Sequence, residues 1–414
     1  MASSIPFSIK NPSLSLVEEF SQSLPKFASE DTVHFALAHL LQRTCANSGY
    51  TEDEKSNDKC ENISNGWANK YFEKLKVANG KQEKMLAVGF LANLKSVFAA
   101  ELLLPVARGD LTQSSEFSIQ AAAIRASFWG SVKNQTTTEI FLPIFLNITN
   151  CHDARMAALD QLFIPNNIDV TTLSMIVTQM FAEKDIQTLN YVSTLFEKYS
   201  VSSYNCGGGD KMNRVRYFLK YMKKLRLHTT DYGFQISQTY RHAYYDMKYA
   251  RGGGHEIWLI GGGESFLPNE IRFRLDSNQF GGYQTNLLEI RVRTQGLSEA
   301  VSQLFYKRDK IVWKTEDLQQ VFRKMGIVLK KNPTVEIEIE IKVKDVIVFQ
   351  KFLTKDTFSN QRKDTMTDFA STLQNQIGQN KLHWVSLVSL GTQVNSLRSN
   401  QCSSISSRNL LPDL

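Results

Sequence analysis

The sequence predicts an α+β chain. An α-helical solenoid, a two-layer superhelix, occupies residues 1–230, and a large open, mainly antiparallel β-sheet occupies 231–395. Three observations predict it. Up to about residue 230 the chain reads as one short amphipathic helix after another, with hardly a spacer between them. After about Tyr232 the apolar period changes from helical to two. Finally, Val335 to Lys344 (VEIEIEIKVK) sets five β-branched residues against three Glu and two Lys. A strand divided so cleanly belongs in a large antiparallel sheet with one wet face. The Ser/Asn-rich residues 396–414 read as an unstructured tail.

The helical half is clearest between Cys151 and Ser200. Its first segment, Asp153 to Phe163, carries Met156, Ala157, Leu159, Leu162 and Phe163 at helical spacing and stops at Pro165, which lacks an N–H and disfavours helix before it. A second runs from about Val170 to Phe181. A third, Ile186 to Tyr199, has Leu189, Val192, Leu195 and Phe196 on one stripe. Helices this short cannot bury their stripes alone and must stack on neighbouring pairs. Similar stripes precede them. Val33, Leu37, Leu40 and Leu41 follow the cap candidates Ser29 and Asp31. Next come Trp67, Tyr71, Phe72 and Leu75, then Met85, Val88, Leu91, Ala92 and Val97. Helix Glu116–Trp129 contains Ala121–Ala122–Ala123, small enough for close helix approach, and Glu139–Leu146 carries Pro143 in an early turn or a kink. Lys211–Arg226 holds seven Lys/Arg and no acid among Val215, Phe218, Leu219, Met222 and Leu225. It reads as a last solenoid helix with a wet basic face, or as a membrane-surface or polyanion-binding helix.

In the sheet half, Ile271, Phe273 and Leu275 alternate with Arg272, Arg274 and Asp276, and Leu288, Ile290 and Val292 with Glu289, Arg291 and Arg293. Gly281–Gly282 supplies a turn between them, so the two runs pair antiparallel. His255–Ile260 is apolar on both sides, as in a central strand covered twice. Leu297–Phe305 and Glu316–Lys324 read as short helices interrupting the sheet.

At 414 residues, 42% apolar and 21% charged, the chain can build two cores. A net charge of +7 from 48 basic and 41 acidic residues is too mild to indicate nucleic acid. No window approaches the ~20 apolar residues of a membrane span. Five cysteines form no disulfide scaffold and have no zinc spacing; Cys45 and Cys60 flank one polar loop. Gly207–Gly209 lacks the Gly-Lys-Ser/Thr of a phosphate loop, and Ser265 lacks the second glycine of a nucleophile elbow. His255–Glu256 lacks a second His four residues on. No catalytic constellation, metal site or cofactor site remains, so the chain does not read as an enzyme.

Several strings resemble one family. "Arg155-x-Ala157-Ala158", the Pro165 break and Tyr191–Leu195 are similar to the helical domain of large lipid-transfer proteins: vitellogenins, insect lipophorin precursors and the microsomal triglyceride transfer protein. Lys84–Leu94, Ser118–Arg125, Leu267–Ile271 and Asn286–Leu297 extend the resemblance into the family's first lipid-cavity sheet. It implies bound phospholipid or neutral lipid, export, and a bridge between Cys45 and Cys60, which by sequence alone could equally be free thiols. With export, the sequons at Asn62, Asn134 and Asn147 become glycosylation sites. It also implies a yolk-storage or circulating lipoprotein whose partners are lipids, the rest of a precursor or a second copy, and a cell-surface receptor. The first residues do not read as a signal peptide, and the family's N-terminal barrel, second sheet and von Willebrand-like module are not recognised, so a piece of a larger precursor is expected. The lipid-facing set is Ile271, Phe273, Leu275, Leu288, Ile290, Val292, Val335, Ile337, Ile339, Ile341 and Val343. The competing reading is an α-solenoid protein-interaction scaffold without lipid, from which the large amphipathic sheet distinguishes it.

Overall fold

The computed structural model describes residues 5–9, 12–24, 31–48, 54–112, 116–127, 137–163, 168–183, 185–201, 209–224, 238–246, 251–261, 267–279, 283–296 and 336–354. Twelve helices lie among them: α1 (Ile5–Ser8), α2 (Leu14–Ser23), α3 (Asp31–Ser48), α4 (Glu54–Val77), α5 (Lys81–Leu94), α6 (Val97–Arg108), α7 (Phe117–Ala126), α8 (Thr137–Leu146), α9 (His152–Phe163), α10 (Val170–Ala182), α11 (Ile186–Val201) and α12 (Gly209–Lys224). Short polar side chains start several of them. Ser13 accepts from the Leu16 amide, Ser96 from Ala99 and Asp169 from Thr172, each satisfying a first-turn N–H with no helical partner. Gly109, at φ 91°, ends α6 in the left-handed geometry that glycine adopts without a Cβ penalty. Asp31 lies inside the first turn of α3 and not before it, and α7 starts at Phe117, one residue after Glu116, while Trp129 lies outside the described residues. α8 runs on through Pro143, which falls beyond its first turn on the exposed side, where a proline ring meets few neighbours.

The helices pack in two layers. α3, α5, α7, α9 and α11 follow one another in one layer; α4 meets α6, and α8, α10 and α12 are successive neighbours, in the other. Between the layers Tyr71 of α4 stacks on Phe90 of α5 with ring centroids 3.6 Å apart, and within the first layer Phe163 of α9 meets Phe196 of α11 edge-on. Ala121, Ala122 and Ala123 of α7 are buried, as are Ala154, Ala157 and Ala158 of α9, and these small side chains let the two helices approach. Arg155 is also buried. Its Nε donates to the Phe145 carbonyl at 2.9 Å and its Nη2 pairs with Glu183, so one guanidinium ties α9 to the end of α8 and to the residue after α10.

Among the described residues the sheet has six strands in chain order, each antiparallel to the next: β1 (Gln238–Asp246), β2 (Arg251–Ile260), β3 (Glu270–Gln279), β4 (Tyr283–Gln295), β5 (Glu336–Val343) and β6 (Val346–Thr354). Ile271, Phe273 and Leu275 pair with Val292, Ile290 and Leu288, as the alternation predicts. β5 turns into β6 through Lys344 and Asp345, φ 50° and 60°, a two-residue turn whose twist suits a hairpin. The Gly281–Gly282 turn, Val335, Asn134, the expected helices at 297–305 and 316–324, and residues 396–414 lie outside the described residues. β6 rests on α3 and α5. At Gly89 of α5 an added Cβ would stand 2.7 Å from the Phe35 ring and 2.9 Å from Gln350 of β6, so glycine sets how closely helix and sheet approach. Asn93 of α5 fixes the same junction by bonding the Ile347 backbone as donor and acceptor, at 2.7 and 2.8 Å.

Candidate functional site: the two faces of the sheet

Alternation assigns each strand a charged and an apolar face, and the expectation was that the charged one is wet. The structure reverses this. Glu256, Glu270, Glu289, Arg291, Arg293, Glu338 and Glu340 are all buried. They meet helical partners. Arg293 of β4 pairs with Asp153 of α9, and Arg272 of β3 with Asp160 of the same helix at 3.0 Å. Lys198 of α11 reaches Glu256 of β2 at 2.8 Å, and Lys81 of α5 reaches Glu336 of β5 at 2.6 Å. His152 at the start of α9 lies 2.5 Å from the Gly261 carbonyl through Nε2, with its Nδ1 3.1 Å from Asp185. A period of two tells faces apart but does not say which one the helices cover.

Burying so many charges is tolerable only because they are paired, across strands, along β4 and with the helices. Arg291 sits among Glu270, Glu289 and Glu340 at 3.1, 2.8 and 2.8 Å. Burial pushes the Glu270 carboxyl up, but Arg272 and Arg291 reverse this and hold it well below the usual carboxylate range. Burial likewise opposes Glu289 and Glu340, and Arg291 with Lys342 brings both down. At Glu338 and Asp276 burial prevails, and both are raised despite neighbouring arginines. Arg125 of α7 is driven down chiefly by its burial and next by Arg291, against the pull of Glu270, Glu340 and Glu338.

The other face is apolar and more open. Cross-strand register places Tyr240, Ile257, Phe273, Ile290, Ile341 and Phe349 in one row crossing all six strands. Beside it run Leu259, Ile271, Val292 and Ile339, and on the other flank Leu275, Leu288, Val343 and Val346. At ~4.8 Å per strand the row is about 24 Å across. Ile271 is 44% exposed, and Ile257 and Leu275 are each 37% exposed. Phe273, Leu288, Ile290, Val292, Ile337 and Ile341 are half-buried, while Ile339 and Val343 are buried. β2 is therefore not covered twice: Trp258 and Ile260 are buried on the helical side, whereas Ile257 is exposed on the other.

The remaining expected positions lie on the helices. Cys45, in α3, is bonded to Cys60, in α4, with Cα atoms 5.5 Å apart. Asn62 is exposed on α4, and Asn147 is exposed just after α8, where Thr149 donates to its side chain. Asp153, Asp160, Lys198 and Arg125 escaped the sequence reading as functional positions. A signal for the first two existed, since acids seven residues apart share one side of a helix.

Two family models cover most of the chain. One, the vitellogenin TPR domain, matches residues 3–197, and the other, the vitellinogen open beta-sheet, matches residues 235–384. The chain belongs to the vitellogenin family. This vitellogenin-like chain also resembles a solved structure reported for lipid–protein interactions in lipovitellin, with TM-score 0.56 and 18% identity over 83% of its own length. It spans 32% of that lipovitellin chain, and the likeness establishes the helix-then-open-sheet fold. No curated protein sequence matches it significantly. The family is one of lipid-transport and lipid-binding proteins, and no described helix is long and apolar enough to cross a membrane.

Proposed function

We propose that this chain carries phospholipid and neutral lipid against the open apolar face of its sheet, while the helices brace the charged face. The observation that carries the reading is the unbroken apolar row from Tyr240 to Phe349, flanked by exposed Ile271 and Leu275. Water-facing apolar surface this wide is costly at ~25 cal/mol per Å², and lipid removes that cost without specific polar contacts. The cargo range is therefore broad. Ile271, Phe273, Leu275, Leu288, Ile290, Val292, Ile337 and Ile341 form the contact surface, with Ile339 and Val343 beneath it. In this reading residues 1–230 and 231–395 act as brace and lipid sheet. The protein is secreted, bridged at Cys45–Cys60, and glycosylated at Asn62, Asn134 and Asn147. The rest of a precursor, a second copy and a cell-surface receptor are its protein partners.

The test is to incubate the purified chain with a phosphatidylcholine–triacylglycerol emulsion, re-isolate it, and quantify extracted lipid. Both lipid classes should return with the protein. A chain that returns lipid-free yet binds proteins through its helices would establish the interaction-scaffold reading instead.

A further inference from the structure

In the helical layer turned away from the sheet, α10 and α12 are neighbours with unusual outward faces. α10, VTTLSMIVTQMFA, contains no charged residue. It buries Thr172, Leu173, Ile176, Val177 and Met180, and turns Val170, Met175 and Phe181 outward, the last 56% exposed. The positions between them, Thr171, Ser174 and Thr178, are exposed and uncharged too. A surface helix ordinarily carries charge on its wet side, as α4 does with Glu61, Lys70, Glu73 and Lys74.

α12 supplies the charge that α10 lacks. It buries Val215, Phe218, Leu219 and Met222 and exposes Arg216, Lys220, Lys223 and Lys224, with no acid from Asn213 to Lys224. Tyr217, 69% exposed, and Tyr221 stand among these cations. Arg214 donates to the Ile168 carbonyl just before α10 at 3.1 Å, so the two helices are tied at that end. Lys223 has Glu197 at 3.3 Å, but both are about half exposed, and such a pair is readily exchanged for another partner.

We propose that the outward faces of α10 and α12 together dock on the surface of an anionic phospholipid bilayer. Lysine and arginine meet the acidic head groups, and the tyrosines sit at the interface with ring inward and hydroxyl in water. Val170, Met175 and Phe181 enter the boundary of the acyl region, where an uncharged helix face has no ion to desolvate. A soluble polyanion would use the cations alone and leave that apolar face in water, which is why a bilayer is the better fit. The site does not depend on the sheet: α9 and α11 carry the helical contacts to β2, β3 and β4, and α10 and α12 lie in the other layer.

Flotation of the full chain with phosphatidylserine–phosphatidylcholine vesicles, against phosphatidylcholine alone, is the test, with sheet-bound lipid read separately by extraction. Binding should require phosphatidylserine and fall with salt. The pair Lys220→Glu and Lys224→Glu should weaken it at least tenfold, at about fivefold for each basic residue lost. The pair Met175→Ser and Phe181→Ser, both at exposed positions, should weaken vesicle binding about tenfold while leaving heparin binding unchanged. Ile271→Asp should dock normally, which separates failure of this proposal from failure of the lipid-carrying one. Equal binding to phosphatidylcholine alone would overturn the proposal. So would full vesicle binding by the Met175/Phe181 pair, which would reveal a purely electrostatic polyanion site.

Discussion

Arg272 of β3 donates to Asp160 of α9 at 3.0 Å, and the same carboxylate accepts the hydroxyl proton of Tyr191 from α11. One side chain therefore joins the sheet to two helices. Removing it leaves the buried Tyr191 phenol without its acceptor and takes one of two carboxylates from Arg272, which keeps Glu270 at 2.8 Å. Asp160→Ala should destabilise the chain by about 2 kcal/mol in urea unfolding. Arg272→Met in the same background should recover part of that loss. Strict additivity in the double-mutant cycle would show that the two residues do not interact.

A second expectation concerns acid. Glu270, Glu289 and Glu340 have folded-state pKa values below the ordinary 4.5, so their contribution is present above 4.5 and is lost as pH falls through the lowered values. Glu338 and Asp276 act oppositely, because raised values mean that protonation relieves a burial cost as pH falls toward the ordinary range. Burial raises Asp31 as well, but the large shifts are the downward ones of Glu270 and Glu289 around Arg291, so the melting temperature should decline below about pH 4.5. At the alkaline side His152 matters. Burial lowers its pKa, but the hydrogen bond and charge of Asp185 more than compensate and leave it raised. Its contribution is complete below 6.5 and fades as pH rises through the raised value. His152→Gln should flatten that alkaline slope while leaving the acid one intact.

Gly89→Ala separates local propensity from packing. Alanine favours a helix by up to about 1 kcal/mol over glycine. The new methyl would nevertheless stand 2.7 Å from the Phe35 ring, itself buried in the core. Overpacking of this kind costs roughly 2 kcal/mol, so thermal unfolding should show a net loss of about 1 kcal/mol. A stabilised variant would mean that α5 does not approach Phe35 of α3 and Gln350 of β6 this closely.

How much of this was legible beforehand can be judged from particular residues. Met156, Leu159 and Leu162 identify α9 because a buried stripe at period 3.6 has no other use, and Ile271, Phe273 and Leu275 identify β3 by period two. The pairing of β3 with β4 followed from the same pattern. The side of the sheet that meets the helices did not, because Glu338 and Arg293 look like solvent-facing residues until Asp153 is brought beside Arg293. That contact joins residues 140 positions apart in sequence, and no local pattern specifies it. The exposed end of the apolar face at Ile271 was legible only as half of an alternation. What the helices leave uncovered is a property of their packing.

The Cys45–Cys60 bond closes a separation of 15 residues, for which the chain-entropy estimate is about 3 kcal/mol. Non-reducing peptide mapping of secreted material should recover the two as one linked species. Substituting both by serine should lower stability by up to that amount, and mapping that finds two free thiols would contradict the bridge.

The central claim is that the apolar face of the sheet holds lipid. It is tested most directly by lipid bound per molecule in Ile271→Asp against wild type, each loaded from the same emulsion. Ile271 is 44% exposed, so a carboxylate there reaches water in the lipid-free chain and should move the melting temperature little. Against hydrocarbon the same carboxylate is costly. The account predicts bound lipid reduced about tenfold or more with the lipid-free protein still folded, since even ~1.4 kcal/mol is a factor of ten. Undiminished lipid in a folded Ile271→Asp chain would contradict it.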